Sequence, residues 1–396
     1  MLSHSRLRIL FLNVGHFIDH FMLLIFATVV LKLTLEWDLS YAELVPYATP
    51  GFIAFGVFTI PAGWLADRWS REGMMVIFFI GIGLCAIFAG FATSPMMLAF
   101  SLTCLGVFAA IYHPVGLAMV VEGLDKTGVP LAINGLWGNM GVATAALLSG
   151  FIIESWRWQA AFYLPGMISV LIGFLFLWFI KSGDQNGRQA PIAVGVTPQA
   201  SISRRVLIRA FTVILTTTAI GGFVFQSTTF ALPKVLSERL SEVATSTSEI
   251  GVIAFFIFSL AALSQLLVGY LVDRVSIRWV FGVVALLQST LFLLMINQSG
   301  WAAFVVAVAF MFVVFGQIPI NDVLVGRIAK SAWRSRAFAL RYLVTFSVAA
   351  TALPLIAWIH GNLGFDALFM LLALAAGLIL VTVMFLPSTK KLAGAN

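Results

Sequence analysis

What this chain has least of is charge. Only 10% of its 396 residues are Asp, Glu, Lys or Arg, and 61% are hydrophobic, whereas a soluble domain carries about 25% charged residues. That shortage excludes a water-soluble enzyme and leaves a polytopic membrane protein. Cysteine is almost absent. Cys85 and Cys104 lie inside apolar segments and read as small core residues, which excludes a disulfide scaffold or a cysteine metal pair. No glycine-rich phosphate loop with its lysine is present, so ATP is not the energy source and no cofactor is expected beyond a proton gradient. A net charge of +7 raises nucleic acid as a partner. The basic residues instead sit in short loops and form no stripe, which is the pattern of membrane topology. A cleavable signal is not evident either. The first apolar stretch is too long for a signal h-region and lacks a small-x-small cleavage site, so it is expected to stay as a transmembrane helix.

What the chain does have is apolar runs of about 20 residues or more, repeated twelve times. They fall at 8–35, 42–65, 73–92, 96–122, 128–153 and 159–181, then at 207–236, 246–271, 277–297, 300–326, 334–360 and 364–387. The expected fold is an all-α membrane protein of twelve transmembrane helices in two six-helix bundles. Its expected domains are 1–181, a linker at 182–206 and 207–396. The linker is polar and rich in Gly and Pro (Gly183, Gly187, Pro191, Gly195, Pro198), and it is the only long one. Loop charges set the orientation. Arg6, Arg8, Arg68, Arg71, Lys126, Lys181, Arg188, Arg204, Arg205, Arg209, Arg274, Arg278, Arg327, Lys330, Arg334, Arg336, Lys390 and Lys391 lie on one side, against Arg157, Lys234 and Arg239 on the other. This predicts cytoplasmic termini and a cytoplasmic linker.

The two halves repeat. Gly63-Trp64-Leu65-Ala66-Asp67-Arg68 returns 206 positions later as Gly269-Tyr270-Leu271-Val272-Asp273-Arg274, and Pro114 and Pro319 stand 205 apart. A parallel duplication of this kind predicts a substrate site between the halves near the midplane and alternating access by rocking. Physically, Gly63 and Gly269 would allow close helix approach at the cytoplasmic face. Asp67 would meet a helix N-terminus or an arginine, while Arg68 and Arg71 stay among the headgroups. Paired loops of this type, with Asp273 and Arg274 in the second, suit a conformational latch. Arg341 lies about seven residues inside the eleventh span; it either snorkels to the cytoplasm or pairs with Asp67 across the latch. Glu122 and Glu154 stand at helix ends and call for no special role.

The first span carries the chemistry. Asn13, His16, Asp19 and His20 share or border one helical face by i, i+3 and i, i+4 spacing, roughly 12–18 Å from the helix start in a slab about 30 Å thick. Ionisable groups at that depth are costly and normally face a protein interior or watery cavity. In the fourth span His113 precedes Pro114, whose missing N–H loosens the helix. The residues leave three uses open: proton coupling by imidazoles beside a carboxylate, a transition metal or its chelate held by His16, Asp19, His20 and His113, or plain hydrogen bonding to substrate. The second half is neutral by comparison. Gln226 and Thr229 in the seventh span and Gln317, Asn321 and Asp322 around Pro319 in the tenth offer hydrogen bonds, with Asp322 close to the cytoplasmic end. Gln226 stands 206 positions after His20 and is expected to face it across the cavity. Asn134 and Asn139 in the fifth span are candidate helix–helix hydrogen bonds. Gly81-Ile82-Gly83 imitates a dinucleotide-binding pattern but lies mid-membrane, so close helix packing is expected there.

The paired loops, the duplication and the Trp156-Arg157-Trp158 turn resemble the major facilitator superfamily over essentially the whole chain. Within it, His16 to His20, Tyr112-His113-Pro114 and Gly138-Asn139-Met140-Gly141 resemble the fosmidomycin-resistance group of bacterial efflux proteins. The chain departs from that pattern in three places. Histidine stands at His20 where the group carries an acid, the fourth span lacks the arginine of many proton-coupled members, and Ala143-Thr144-Ala145 stands near where antiporters carry Gly-Pro. The resemblance implies a non-enzymatic secondary transporter of the bacterial inner membrane. It would export a small organic molecule or drug in exchange for protons, and would act as a monomer, the default for this fold. It also implies that the first, fourth, seventh and tenth helices line the cavity. A metal-ion or chelate transporter is the alternative in the same class, and a membrane sensor on a transporter fold the alternative in another.

Overall fold

A chain this apolar has one way to satisfy its backbone in lipid without closing a barrel, which is to bond every N–H and C=O within helices. The computed structural model describes residues 4–122, 128–182, 203–328 and 334–387. Among them there are helices and no strand. The centre of the expected linker, 183–202, lies outside the described residues, as do Lys126, Lys330, Lys390 and Lys391.

The long helices are α1 (His4–Glu36), α2 (Tyr41–Arg68), α3 (Arg71–Ala89), α4 (Pro95–Val120), α5 (Gly128–Ser155) and α6 (Ala160–Ser182), then α7 (Arg204–Arg239), α8 (Thr247–Arg274), α9 (Ile277–Met295), α10 (Gly300–Ile328) and α11 (Arg334–Met384). Their starts follow local chemistry. Ser70 and Ser94 accept from the backbone N–H of Gly73 and Met97 as N-caps of α3 and α4, and Ser40 and Glu43 form a reciprocal capping box before α2. Helix α11 is 51 residues long. Straight, it would reach about 76 Å, more than twice the bilayer core of about 30 Å. It breaks at Gly364, where φ is +75°, a conformation that a side chain would strain. The arms 334–363 and 365–384 are therefore two crossings, and the eleven helices make the twelve spans.

Two compact units emerge. Of the described residues, the first holds those up to 182 and takes in 246–255, a stretch that the duplication counts with the second half; the second holds 203–245 and those from 256 on. In the first, α1 packs on α5, α3 on α6 and α4, and α2 on α4. In the second, α7 packs on α11 and α10, and α9 on α11 and α10. Ser169 in α6 donates to the carbonyl of Phe79 in α3 at 2.7 Å, and Ser289 in α9 donates to that of Ala373 in the second arm of α11 at 2.9 Å. These are matching helix pairs in the two repeats. Gly81 and Gly83 serve packing, as expected: a Cβ on Gly83 would stand 2.6 Å from the carbonyl oxygen of Gly166.

The outer surface is apolar. Trp64, Trp69, Trp156, Trp178, Trp279, Trp301 and Trp358 are exposed together with many Leu, Ile and Phe side chains. An apolar surface studded with tryptophans suits acyl chains and their interfaces.

Candidate functional site

Within the first unit, α1, α4 and α5 bring together the residues that stood apart in sequence. α4 is not a regular helix here. Tyr112–Gly116 forms a π turn, the wider ring by which a helix can accommodate the absent N–H and the bulk of Pro114. The irregularity presents Tyr112 and His113 to α1. His113 Nε2 lies 3.4 Å from Asp19 Oδ2, and Asp19 is 0% exposed. His16 and Asn13 are buried and His20 partly so.

Hydrogen positions around His16 follow from its partners. Its Nδ1 meets the backbone carbonyl of Asn134 at 2.8 Å. A carbonyl only accepts, so Nδ1 carries the hydrogen and the Nε2 of the neutral ring keeps its lone pair. The Nε2 of His20 lies 3.1 Å away and is the donor to it. The order is then His20 N–H to His16 and His16 N–H to the α5 backbone. His16 stacks on Tyr112 at 4.8 Å between ring centres and meets His113 edge-on at 5.3 Å. Phe55 of α2 closes a further side, 5.8 Å from His113. One nitrogen from each of His16, His20 and His113 lies within 4.8 Å of the other two, so these rings could share a proton or a metal ion.

Beneath the imidazoles is a buried polar knot. Tyr112 donates its hydroxyl hydrogen to the carbonyl of Leu12 at 2.8 Å and accepts from Asn134 Nδ2 at 2.9 Å. The same Nδ2 donates to Asn13 Oδ1 at 2.9 Å. Asn134 thus does more than a simple helix–helix contact, since it ties α1, α4 and α5 at the foot of the site. The sequence offered Tyr112 and Asn134 without these roles, because their polar ends meet only after three helices pack. The glycines of Gly138-Asn139-Met140-Gly141 also find their reason. A Cβ on Gly138 would stand 2.7 Å from His16 Nε2, and one on Gly141 would overlap the carbonyl oxygen of Phe17. Asn139, between them, is buried.

In the second unit the expected cavity residues are drawn into packing within their own bundle. Gln317 accepts from Gln288 Nε2 at 2.8 Å, and Asn321 accepts from Thr217 at 3.0 Å. Gln288 and Thr217 had not been anticipated. Thr229 turns its hydroxyl onto the carbonyl of Phe225, one turn earlier, at 2.7 Å. Gln226 is buried with Nε2 lacking a hydrogen-bond partner among the described residues, and it is the most available of the set.

The charged loops differ from expectation in their partners. Arg341 pairs with Asp322 of α10, in place of Asp67, and it is 7% exposed, so it does not snorkel to water. Asp67 pairs with Arg71 one turn later at 2.9 Å. Glu122, given no role from its position, joins Arg8 and lies 3.3 Å from Arg71. It completes a cluster with Arg8, Arg71, Asp67 and Glu72. The glycines of the repeated loops are also unequal. A Cβ on Gly63 would meet Pro114 at 3.2 Å, whereas one on Gly269 would meet nothing within 4 Å among the described residues, so close approach is seen for the first. What the loops share is a stacked arginine: Arg68 lies 4.5 Å over the Trp64 ring, and Arg274 lies 3.6 Å over Tyr270.

Twelve helices in two repeats match what comparison with known proteins finds. The Major Facilitator Superfamily profile matches residues 9–243 and 235–396. This chain belongs to that superfamily of membrane transporters and is not an enzyme. It is similar to a probable 4-methylmuconolactone transporter of Cupriavidus pinatubonensis, 26% identical over 61% of this chain and 58% of that protein, which is under two thirds of its length. It is also similar to a Na(+), Li(+), K(+)/H(+) antiporter of Planococcus maritimus, 21% identical over 76% of this chain and 79% of that protein. Among solved structures, a bacterial homologue of the human lysosomal transporter Spinster, in an inward-facing and unoccupied conformation, superposes with a TM-score of 0.73. It covers 98% of this chain and 95% of its own at 17% identity, a likeness of fold.

Proposed function

We propose that this protein is a proton-coupled secondary transporter of the bacterial inner membrane, with both termini in the cytoplasm, which exports a small organic molecule by alternating access. The superfamily supplies the transport class, and its relatives include transporters of small organic molecules and an antiporter that exchanges cations for protons. Within the superfamily, His16 to His20, Tyr112-His113-Pro114 and Gly138 to Gly141 favour the fosmidomycin-resistance group.

The observation that carries the coupling is Asp19, fully buried, with its carboxylate 3.4 Å from His113 Nε2. A buried carboxylate without a counter-charge is expensive. A proton on His113 turns the contact into an ion pair, and a proton on Asp19 removes the charge. Either way, occupancy by a proton changes the electrostatics of the cavity wall that α1 and α4 provide. His16 and His20 extend the acceptors by two rings, and the N–H order described above gives the proton a defined place on each. A substrate whose affinity differs between the protonated and deprotonated states is then linked to the proton. Of the neutral groups expected to meet the substrate (Gln226, Gln317, Asn321, Thr229 and Asn139), Gln226 is the most available; Gln317, Asn321 and Thr229 would have to release hydrogen bonds to do so.

The test is transport in proteoliposomes under an imposed pH gradient, over a panel of aromatic carboxylates, lactones and antibiotics. The intact protein should accumulate one of these against its gradient. Asp19→Asn should abolish that accumulation while keeping exchange of labelled for unlabelled substrate at equal concentration. Gradient-driven accumulation that survives in Asp19→Asn would overturn the assignment.

A further inference from the structure

We propose that His16, His20 and His113, with Asp19 beside them, form a binding site for one divalent transition-metal ion. The inference rests on geometry and donor chemistry and is independent of which organic substrate is carried; the ion and the coupling proton would compete for the same lone pairs.

Four observations converge. The first is spacing. A tetrahedral ion with metal–nitrogen bonds of about 2.0–2.1 Å holds its ligand nitrogens about 3.3 Å apart; His16 and His20 present Nε2 atoms 3.1 Å apart, and all three rings offer nitrogens within 4.8 Å. His113 lies further out and would have to approach. The second is the frame. His16 and His20 stand one turn apart on a rigid helix, the i, i+4 arrangement by which two helical histidines grip one ion. The third is the outer shell. A metal-binding imidazole generally donates its other N–H to a carbonyl or carboxylate, which fixes tautomer and direction. His16 does this already, with Nδ1 on the Asn134 carbonyl at 2.8 Å and Nε2 turned to the other rings. Gly138 leaves no Cβ in that ring's place.

The fourth is charge. Asp19 is a buried carboxyl group 3.4 Å from a histidine nitrogen, so a divalent ion bound here would meet one carboxylate and three neutral imidazoles. Nitrogen with one carboxylate oxygen suits zinc, cobalt, nickel and copper and is poor for calcium or magnesium. On binding, the ion takes the place of the hydrogen between the two Nε2 atoms. That hydrogen moves to Nδ1 of His20, so both rings remain neutral, and a proton held by Asp19 leaves to water as its carboxylate joins the ion. His20 is only partly buried.

The test uses the full-length protein in detergent, purified without a polyhistidine tag and titrated with cobalt(II) in the absence of substrate. Calorimetry should give one ion per chain. Visible absorption should show the intense bands of a four- or five-coordinate nitrogen-rich site, distinct from the pale octahedral aquo ion. His20→Gln and His113→Gln should each weaken binding by at least about tenfold, whereas His360→Gln, outside the cluster, should leave it unchanged. Metal-free melting curves and elution volumes show whether each variant is folded. Absence of binding to the intact protein overturns the proposal, as does undiminished binding in folded His20→Gln and His113→Gln. Because the readout contains no gradient and no organic substrate, its failure is separate from any failure of the transport assignment.

Discussion

Nδ1 of His16 in α1 donates to the backbone carbonyl of Asn134 in α5 at 2.8 Å. The acceptor is main chain, so no side-chain substitution at position 134 removes it. What can disturb it is crowding. Gly138, one turn further along α5, lies under the imidazole, and a Cβ there would stand 2.7 Å from its Nε2. Gly138→Ala should push the ring out of register. The expected cost is about 1–3 kcal/mol of overpacking, with transport falling further than stability because the ring is displaced from its partners. Gly135→Ala is the control. Its Cβ would meet nothing within 4 Å, and alanine is the better helix former by about 1 kcal/mol, so that variant should be neutral or slightly more stable. Melting in detergent and substrate exchange in vesicles check both. Equal effects from the two would show that the imidazole is not held where it is drawn.

The Tyr112 hydroxyl binds two helices at once, donating to Leu12 and accepting from Asn134. Tyr112→Phe keeps the ring that stacks on His16 and strips only the hydroxyl. The Leu12 carbonyl is left without this donor and Asn134 loses one acceptor. Hydrogen bonds between membrane helices contribute about 0.6 kcal/mol on average and up to about 1.7, so a loss of about 1 kcal/mol is expected. Asn134→Ala should cost more, since it also releases Asn13. The measurement is reversible unfolding in mixed micelles. A Tyr112→Phe variant as stable as the parent would show that the knot is ornamental.

Arg341 and Asp322 form an ion pair whose partners differ in exposure, side chains being 8% and 34% exposed respectively. The asymmetry has a testable sign. Removing the carboxylate leaves a guanidinium buried without its counter-charge, although Tyr342 still lies 5.0 Å from it. Removing the arginine leaves a carboxylate that water already reaches. Asp322→Ala should therefore destabilise more than Arg341→Ala, by about 3 kcal/mol against about 1. The swapped pair Arg341→Asp with Asp322→Arg should recover part of the loss, while a swap of Arg341 with Asp67 should recover none. Thermal melts of the four variants settle the order, and a larger loss in Arg341→Ala would refute it.

The fold was legible because lipid leaves few choices. Run length, loop charge and the returning Gly-x-x-x-Asp-Arg loop were enough for twelve helices in two repeats, and α11 reads as two spans even though its backbone is joined at Gly364. The ionisable members of the site were legible for a related reason: His16, Asp19, His20 and His113 stand out against an apolar background. Tyr112, Asn134 and Gly138 were not. Their roles depend on how α1, α4 and α5 rotate against each other, and nothing in one helix's periodicity encodes its neighbour's azimuth. Partner choice among loop charges failed likewise. Arg341 had carboxylates to choose from in either repeat, and only the packing of α10 against α11 brings Asp322 to it. Glu122 looked like a helix-end charge until Arg8 and Arg71 converged on it.

That cluster gives the last prediction. Glu122 joins Arg8 of α1 and Arg71 of α3, and Arg8 is a further 3.6 Å from Glu72. The side chains of Arg8, Arg71, Glu72 and Glu122 are 26–43% exposed, so solvent and salt screen each pair and each contributes at most about 1 kcal/mol. A network shared by α1, α3 and the end of α4 nevertheless acts on helix positions as well as on stability. Glu122→Gln should lower the melting temperature slightly at low salt. The deficit should shrink towards nothing at 1 M salt, where the screening length is about 3 Å. Transport should fall more than the melt implies, because two arginines lose a common anchor between helices. Arg8→Gln should mimic it, and the double variant should be no worse than the more damaging single one, as coupled partners require. Additive losses in the double variant would show that Glu122 and Arg8 act independently and that the cluster is surface charge alone.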